Sequence, residues 1–450
     1  MTQGTQDTRL LGYLWLQPGL SKMNGYTLLW ACLTGIPFLV VINFIQPYIL
    51  SAMLDVPMEQ QGSVSARLAV LHEFIMIALT GPAGALADRI GRRRVLTAGY
   101  IIAAVGLAVY PWADSVNGMI MIRVVYAIGA ALLVSGYSVL IADYPQEKSR
   151  GRLVAIGGVL NGLGILMLAA IGGNLPKWLV DAGYGAIDAG RLAMLLLGIA
   201  FAVAGVFVYF GFKGGDRGIH NEAKPPLLEL LKKGFGAARN PRIAIAYASA
   251  FAARGDVVVI GTYVSLWGTQ VGIKGGLSGA DALQQAMIIF AVIQSVALLA
   301  SPVIGILNDR INRVTALILG MGLAALGYLA FGLHDNPFGG TGIGVAVLLG
   351  FGQIAAILAG TTLIGQEADP KITGATIGVW SFCGAVGTLI GSYFGGILFD
   401  LWTPGAPFLL MGMLNLLVMI AAIWVRIRFP GDRQLRSEDA GEFIAPIRDD

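Results

Sequence analysis

Runs of roughly 20 or more apolar residues recur along the whole chain, each about long enough to cross the ~30 Å core of a bilayer as a helix. We read twelve of them, at approximately 26–54, 62–84, 94–112, 115–142, 152–175, 191–212, 241–267, 282–306, 314–333, 342–366, 372–399 and 405–428. Lipid cannot satisfy exposed peptide groups, so a spanning segment is either a helix or a strand of a closed barrel. Barrel strands need an alternating pattern about ten residues long, which these runs lack. The prediction is an all-α membrane protein with twelve transmembrane helices. Only 12% of the residues are charged, about half the usual share in soluble domains. Cys32 and Cys383 fall inside apolar runs, which implies no disulfide framework. The first 25 residues lack the basic start, short apolar core and small-residue cleavage site of a signal peptide, so the first span is expected in the mature protein.

Lysine and arginine set the expected orientation. Arg89, Arg92, Arg93 and Arg94 follow span 2, and Lys148, Arg150 and Arg152 follow span 4. Lys213, Arg217, Lys224, Lys232, Lys233, Arg239 and Arg242 lie after span 6, Arg310 and Arg313 after span 8, Lys371 after span 10, and Arg426 to Arg448 at the end. The opposite loops hold only Lys177, Arg191 and Lys274. By the positive-inside rule both termini are cytoplasmic. Trp112, Trp178, Trp267 and Trp402 are placed at outer interfaces, and Trp15, Trp30 and Trp424 near inner ones.

The chain repeats itself. GALADRIGRRRVL (84–96), after span 2, is echoed by GILNDRINRVTAL (305–317), after span 8. ADYPQEKSRGRLVAIG (142–157) is echoed more weakly by ADPKITGATIG (368–378), again at an offset of roughly 220 residues. Two pseudo-symmetric six-helix bundles are the natural division. The expected order is a cytoplasmic segment 1–25, a bundle 26–212, a cytoplasmic linker 213–240, a bundle 241–428 and a tail 429–450. The linker reads as a connector, with an amphipathic surface helix as the alternative.

The first repeated loop has the pattern Gly-x-Leu-x-Asp-Arg-x-Gly-Arg-Arg-x-x-Leu, and it resembles the signature loop of the major facilitator superfamily. The resemblance covers essentially the whole chain and implies that family's fold and secondary transport by alternating access. In this reading Gly84 lets span 2 approach span 11, and Gly91 suits the sharp reversal into span 3. Asp88 is placed against the positive N-terminal end of span 11, near Gly374 and Ala375. The family pattern pairs Arg92 with an acid at the inner end of span 4, here Asp143. With Arg89 these residues form a breakable latch between halves, and Asp309, Arg310 and Arg313 form a weaker second copy with Asn312 in place of Gly91.

Other elements of the family's branches are altered. Span 5 lacks the Gly-Pro element of drug–proton antiporters, and the Pro-Glu-Ser-type sequence that sugar porters carry after span 6 is absent. The Arg-x-x-Gln-Gly element of span 4 reads RVVYAIG, keeping Arg123 but placing Tyr126 where glutamine stands.

Ionisable groups in mid-membrane are costly, about 2.5–3.5 kcal/mol each on insertion scales, so each is a functional candidate. His72, Glu73, Arg123, Arg254 and Asp256 qualify. Positions two apart on a helix point about 200° apart, so Arg254 and Asp256 are not expected to pair with each other. Asp256 and Glu73 are the candidate proton-coupling acids, Asp256 first; the alternative for Arg254 and Asp256 is a structural ion pair to another helix. His72 reads as a packing histidine. Asn43, Gln46, Tyr126, Gln294, Gln353 and Trp380, with Arg254 and Arg123, are the candidate substrate-binding set, and Asn161 joins them as a polar cavity residue. Gating is the alternative for Arg123.

The reading is a multi-pass protein, expected in the cell (inner) membrane as a functional monomer. It would move a small anionic or zwitterionic organic solute with a proton as possible coupling ion. A multidrug–proton exporter is the alternative within the class, and a transport-like receptor the alternative outside it. No Gly-x-x-x-x-Gly-Lys-Ser/Thr loop points to ATP. No nucleophile–base set or metal-ligand cluster points to an enzyme, and neither a cofactor nor nucleic acid is expected.

Overall fold

The computed structural model describes residues 8–214, 227–369 and 372–430. Part of the expected linker (215–226), Lys371 and nearly all of the tail lie outside the described residues.

Among the described residues, twelve helices are long and apolar enough to cross a membrane. In the first half they are α1 (Lys22–Tyr48), α2 (Met58–Ile90), α3 (Arg92–Val109), α4 (Val116–Asp143), α5 (Glu147–Asp181) and α6 (Ala186–Gly211). A short helix α7 (Leu227–Gly236) follows, and the seventh span is α8 (Pro241–Val259) continued by α9 (Ser265–Lys274). The remaining spans are α10 (Gly279–Arg310), α11 (Arg313–Leu333), α12 (Gly342–Glu367), α13 (Thr373–Leu401) and α14 (Ala406–Arg428). Several outrun the apolar segments that predict them, because polar residues close their ends. Ser21 caps α1 in a reciprocal box with Asn24, and Ser115, Ser278 and Asn312 accept from first-turn amides of α4, α10 and α11.

Within each half, helices approach through small residues, as lipid-embedded packing requires. Gly387 shows how closely: a Cβ there would lie 1.9 Å from the Phe251 carbonyl oxygen, so α13 lies directly on α8. The halves meet chiefly through two helix pairs, α2 with α13 and α5 with α10.

Both pairs close at one end only. At the end away from the arginine-rich loops, Asp400 accepts from the backbone N–H groups of Gly62 (2.8 Å) and Ser63 (2.6 Å). Lys177 Nζ reaches Asp281 at 2.5 Å, and Gln270 donates to the Met58 carbonyl (3.0 Å) and Gln61 Oε1 (3.1 Å). At the opposite end a Cβ added at Gly81, Gly84, Gly158, Gly305, Gly374 or Gly378 would meet nothing within 4 Å. The halves therefore part toward the arginine-rich loops and leave a cavity between them.

Spans 1 and 7, equivalent in the repeat, both contain π-helical segments, Ile49–Met53 and Ile260–Val264. Pro47 cannot donate to the Asn43 carbonyl, and that carbonyl accepts across the halves from Ser265 Oγ at 3.3 Å.

The segment before α1, expected as a plain cytoplasmic stretch, is folded. Arg9–Leu10 and Leu14–Trp15 pair antiparallel, and Gln17 and Gln146 exchange backbone bonds with Tyr144 and Trp15. Trp15 lies between two cations, Arg9 at 3.7 Å and Lys148 at 3.4 Å from the ring centre. Leu10, Leu14 and Leu16 are buried beneath the strap. Trp267 also departs from its expected interfacial place: it is buried against Phe331, Phe338 and Phe408.

Candidate functional site

Arg254 lies on the exposed side of α8 and lines a pocket of about 260 Å³ between α8, α12 and α13. Ser249, Val257, Ile357, Thr361 and Trp380 share its walls. Gly384 makes room for the arginine, since a Cβ there would lie 2.6 Å from Arg254 Cγ. The Trp380 indole Nε1 is buried without a hydrogen-bond partner. Gln353, one turn before Ile357 on α12, is buried with Oε1 also unpartnered. The pocket thus combines a mostly apolar wall with one cation and one indole N–H in need of a partner.

Glu73 is half-buried on α2, in the other half, and Arg254 is the charge that acts on it electrostatically. Asp256, the first-named candidate for the proton-coupling acid, faces a neighbouring helix instead of the pocket. It is fully buried, and the Asn415 amide on α14 donates to both its carboxylate oxygens at 2.9 and 3.0 Å. Two residues along α8 turn the side chain to the back of the bundle, so Arg254 and Asp256 diverge and the acid is shut away from the cavity.

Two further candidates are committed elsewhere. Gln46 is buried, donating to Ser65 Oγ (3.0 Å) and accepting from Tyr110 Oη (3.2 Å). The Tyr126 hydroxyl donates to the α1 carbonyls of Leu39 (2.7 Å) and Phe38 (3.3 Å), locking α4 to α1. Neither side chain presents a free polar group to a solute. Gln294 and Asn161 are half-buried on α10 and α5. Asn43 accepts from Arg123 Nη2 at 2.6 Å, and this arginine is buried.

In the repeated loops Arg92 is ion-paired with Asp143. Gly91 adopts φ +100°, a conformation that favours glycine, and Asn312 in the second copy caps α11 instead. Gly84 and Gly374 stand apart from neighbouring atoms, and Asp88 is half-buried with Arg89 exposed beside it. In the second loop Arg313 pairs with Asp309 at 2.9 Å, four residues before it, and Arg310 is exposed. The acid at the inner end of span 10, Glu367, is taken by Arg242 at 3.1 Å.

Sequence reasoning missed Asn415, Asp400 and the Arg242–Glu367 pair. A lone asparagine in the last span was the available signal for the first. For Asp400 it was a carboxylate at the outer end of span 11, mirroring Asp88 at the inner end of span 2.

The profile of the Major Facilitator Superfamily matches residues 27–297 and again 280–448. Magnetosome protein MamH of Paramagnetospirillum magneticum is 28% identical over 397 residues, covering 86% of this chain and 88% of its own. Magnetosome protein MamZ of the same organism is 30% identical over 397 residues, and this chain spans 59% of its length. Among solved structures, a bacterial homolog of the human lysosomal transporter Spinster, inward-facing and occupied, superposes with a TM-score of 0.67. That likeness covers 92% of this chain and 98% of the other at 15% identity.

Proposed function

The chain belongs to the major facilitator superfamily, and from that membership we propose that it moves a small organic anion across the bilayer, coupled to protons through Glu73. That it is a secondary transporter, and not an enzyme, follows from the family. The observation that carries the finer reading is that Arg254 lines a pocket in one half while its charge acts on Glu73 of the other.

The coupling follows from charge balance. While Glu73 is ionised it offsets the Arg254 guanidinium and competes with any anionic solute for it. A proton on Glu73 leaves Arg254 uncompensated in a partly desolvated pocket, where an anion is then favoured. Solute and proton would bind together and leave together, which is symport. The largely apolar wall around Arg254 favours a solute with an apolar body behind its anionic group.

The lysine and arginine distribution supports an open end toward the cytoplasm. This structure then corresponds to the state that exchanges solute with the cell interior. The names of MamH and MamZ bear on location, and a magnetosome membrane in place of the general cell membrane is a second reading; fractionation of a tagged chain distinguishes them. The functional test is uptake of benzoate into proteoliposomes under an imposed pH gradient. Acceleration that Glu73→Gln abolishes supports the reading, and benzoate flux indifferent to both pH gradient and Arg254 refutes it.

A further inference from the structure

Arg123 is a buried cation that no described carboxylate pairs with. At 2% exposure its Nη2 donates to Asn43 Oδ1, while Nε and Nη1 meet no acceptor in bonding geometry. Among the described residues no carboxylate comes within 4.0 Å of it. Its surroundings are the Tyr126 ring, 5.5 Å from the guanidinium carbon, the neutral Tyr110 hydroxyl, and His72, whose Nδ1 is also buried without a partner. The His72 ring stands 5.8 Å from the Tyr126 ring, and the hydroxyls of Tyr110 and Tyr126 donate to Gln46 and the α1 backbone.

Arginine cannot relieve such a position by losing its proton. A guanidinium closed off from water and unpaired costs several kcal/mol, so a group held there for packing alone is poorly explained. Arg254 differs in this respect: it borders a pocket and its charge acts on Glu73. The N–H groups on Nε and Nη1 of Arg123 call for anionic oxygens.

We propose that Arg123, with His72 and Asn43 around it, forms a second anion-binding site, inside the N-terminal half, for one compact planar oxyanion. A single guanidinium balances one negative charge, and its planar, weakly hydrated donors match a carboxylate or an inorganic oxyanion. The carboxylate of a transported solute and a free inorganic ion share this chemistry. The site stands independently of the Arg254 pocket, because its donors lie on α4 and its neighbours on α1 and α2.

The test uses the full chain in lipid nanodiscs, titrated with sodium nitrate or sodium benzoate at constant ionic strength, with the thermal unfolding midpoint as readout. Nitrate is expected to stabilise the wild type and Arg254→Gln alike, and Arg123→Gln should need about tenfold more, the effect of losing a charged hydrogen bond. That result identifies an inorganic oxyanion. A response to benzoate alone, again dependent on Arg123, identifies a solute carboxylate. An Arg123→Gln protein that responds to both probes as the wild type does overturns the site, as does a wild type that responds to neither. If Arg123→Gln does not fold, bromine anomalous scattering from 4-bromobenzoate in wild-type crystals decides. Signal beside Arg123 supports the proposal, and signal only elsewhere ends it. Failure of the Glu73 coupling test leaves these outcomes unchanged, so the two readings fall separately.

Discussion

The Asp400 carboxylate at the end of α13 accepts from the Ser63 backbone N–H at 2.6 Å, so the last turn of one half grips the opening turns of the other. The grip extends to Gly62, where a Cβ would lie 2.5 Å from Asp400 Oδ1. Because α2 and α13 run in opposite directions, Asp88 lies toward the other end of the pair, in the last turn of α2. One helix pair thus carries a carboxylate toward each end, and Asp400 faces the positive N-terminal end of α2. The Asp400 carboxylate is engaged in this structure, and a Cβ added at Gly84 or Gly374, toward the other end, would meet nothing within 4 Å.

Asp400→Ala should therefore favour opening of the outer end. Losing two charge-assisted bonds at a partly exposed site is worth about 1 kcal/mol, or about a fivefold shift in population. Spin-label distances across the outer ends of α2 and α13 report it, and an unchanged distribution would show that Asp400 is not a clamp. Asp88→Asn should shift the balance the other way and slow transport with expression maintained.

Glu73→Gln should abolish acceleration by a pH gradient while preserving solute counterflow, which needs no net proton movement. Asp256→Asn should keep gradient-driven uptake, because Asn415 already satisfies that side chain away from the cavity. Counterflow and pH-jump uptake in proteoliposomes separate the two acids, and the reverse result would return the coupling role to Asp256.

Arg254→Gln should weaken binding of an anionic solute by about tenfold to a hundredfold, the range for a charged hydrogen bond removed from a partly desolvated site. Trp380→Phe keeps the apolar wall and removes the indole donor, so a smaller loss is expected. Equilibrium binding to the purified protein measures both.

Gly387→Ala should reduce folded yield. The added carbon would meet the Phe251 carbonyl oxygen at 1.9 Å, and relieving that clash means separating α13 from α8. Overpacking of this kind costs about 1–3 kcal/mol. Gly365→Ala, with nothing within 4 Å of the new carbon, is the control for thermal stability in detergent.

A cysteine at Leu277 should react with an impermeant reagent added outside, and one at Phe235 only after the membrane is opened. Both side chains are exposed, so accessibility reports the side of the membrane. The opposite pattern would invert the orientation drawn from the arginines.

The fold was legible because bilayer crossing demands long apolar runs, and the repeated loop added the family. Pairing across helices was not legible to the same degree. The spacing of Arg254 and Asp256 predicts that they diverge, but not which of them meets the cavity, since that depends on how α8 is rotated against α14. Gln46 and Tyr126 look like cavity residues for the same reason: a polar side chain in a span reads alike whether it meets solvent or a neighbour's backbone. Glu367 pairs with Arg242 because α8 begins beside it, a proximity that the repeat pattern, pointing to the second loop's arginines, does not encode. The N-terminal strap has no long periodicity to announce it; its short strands are stabilised by Trp15 and the loop they cover.

That strap has a practical consequence for imaging. A protein whose mass lies mostly within lipid offers few rigid landmarks for aligning single particles, and landmarks on moving loops blur the reconstruction. The strap joins the start of α1 to the α4–α5 connection, both in the same half, so rocking between halves carries it along without deforming it. A nanobody raised against Arg9–Trp15 and its Lys148 contact would serve as a fiducial that recognises inward- and outward-open particles equally, and would let their proportions be counted without biasing them.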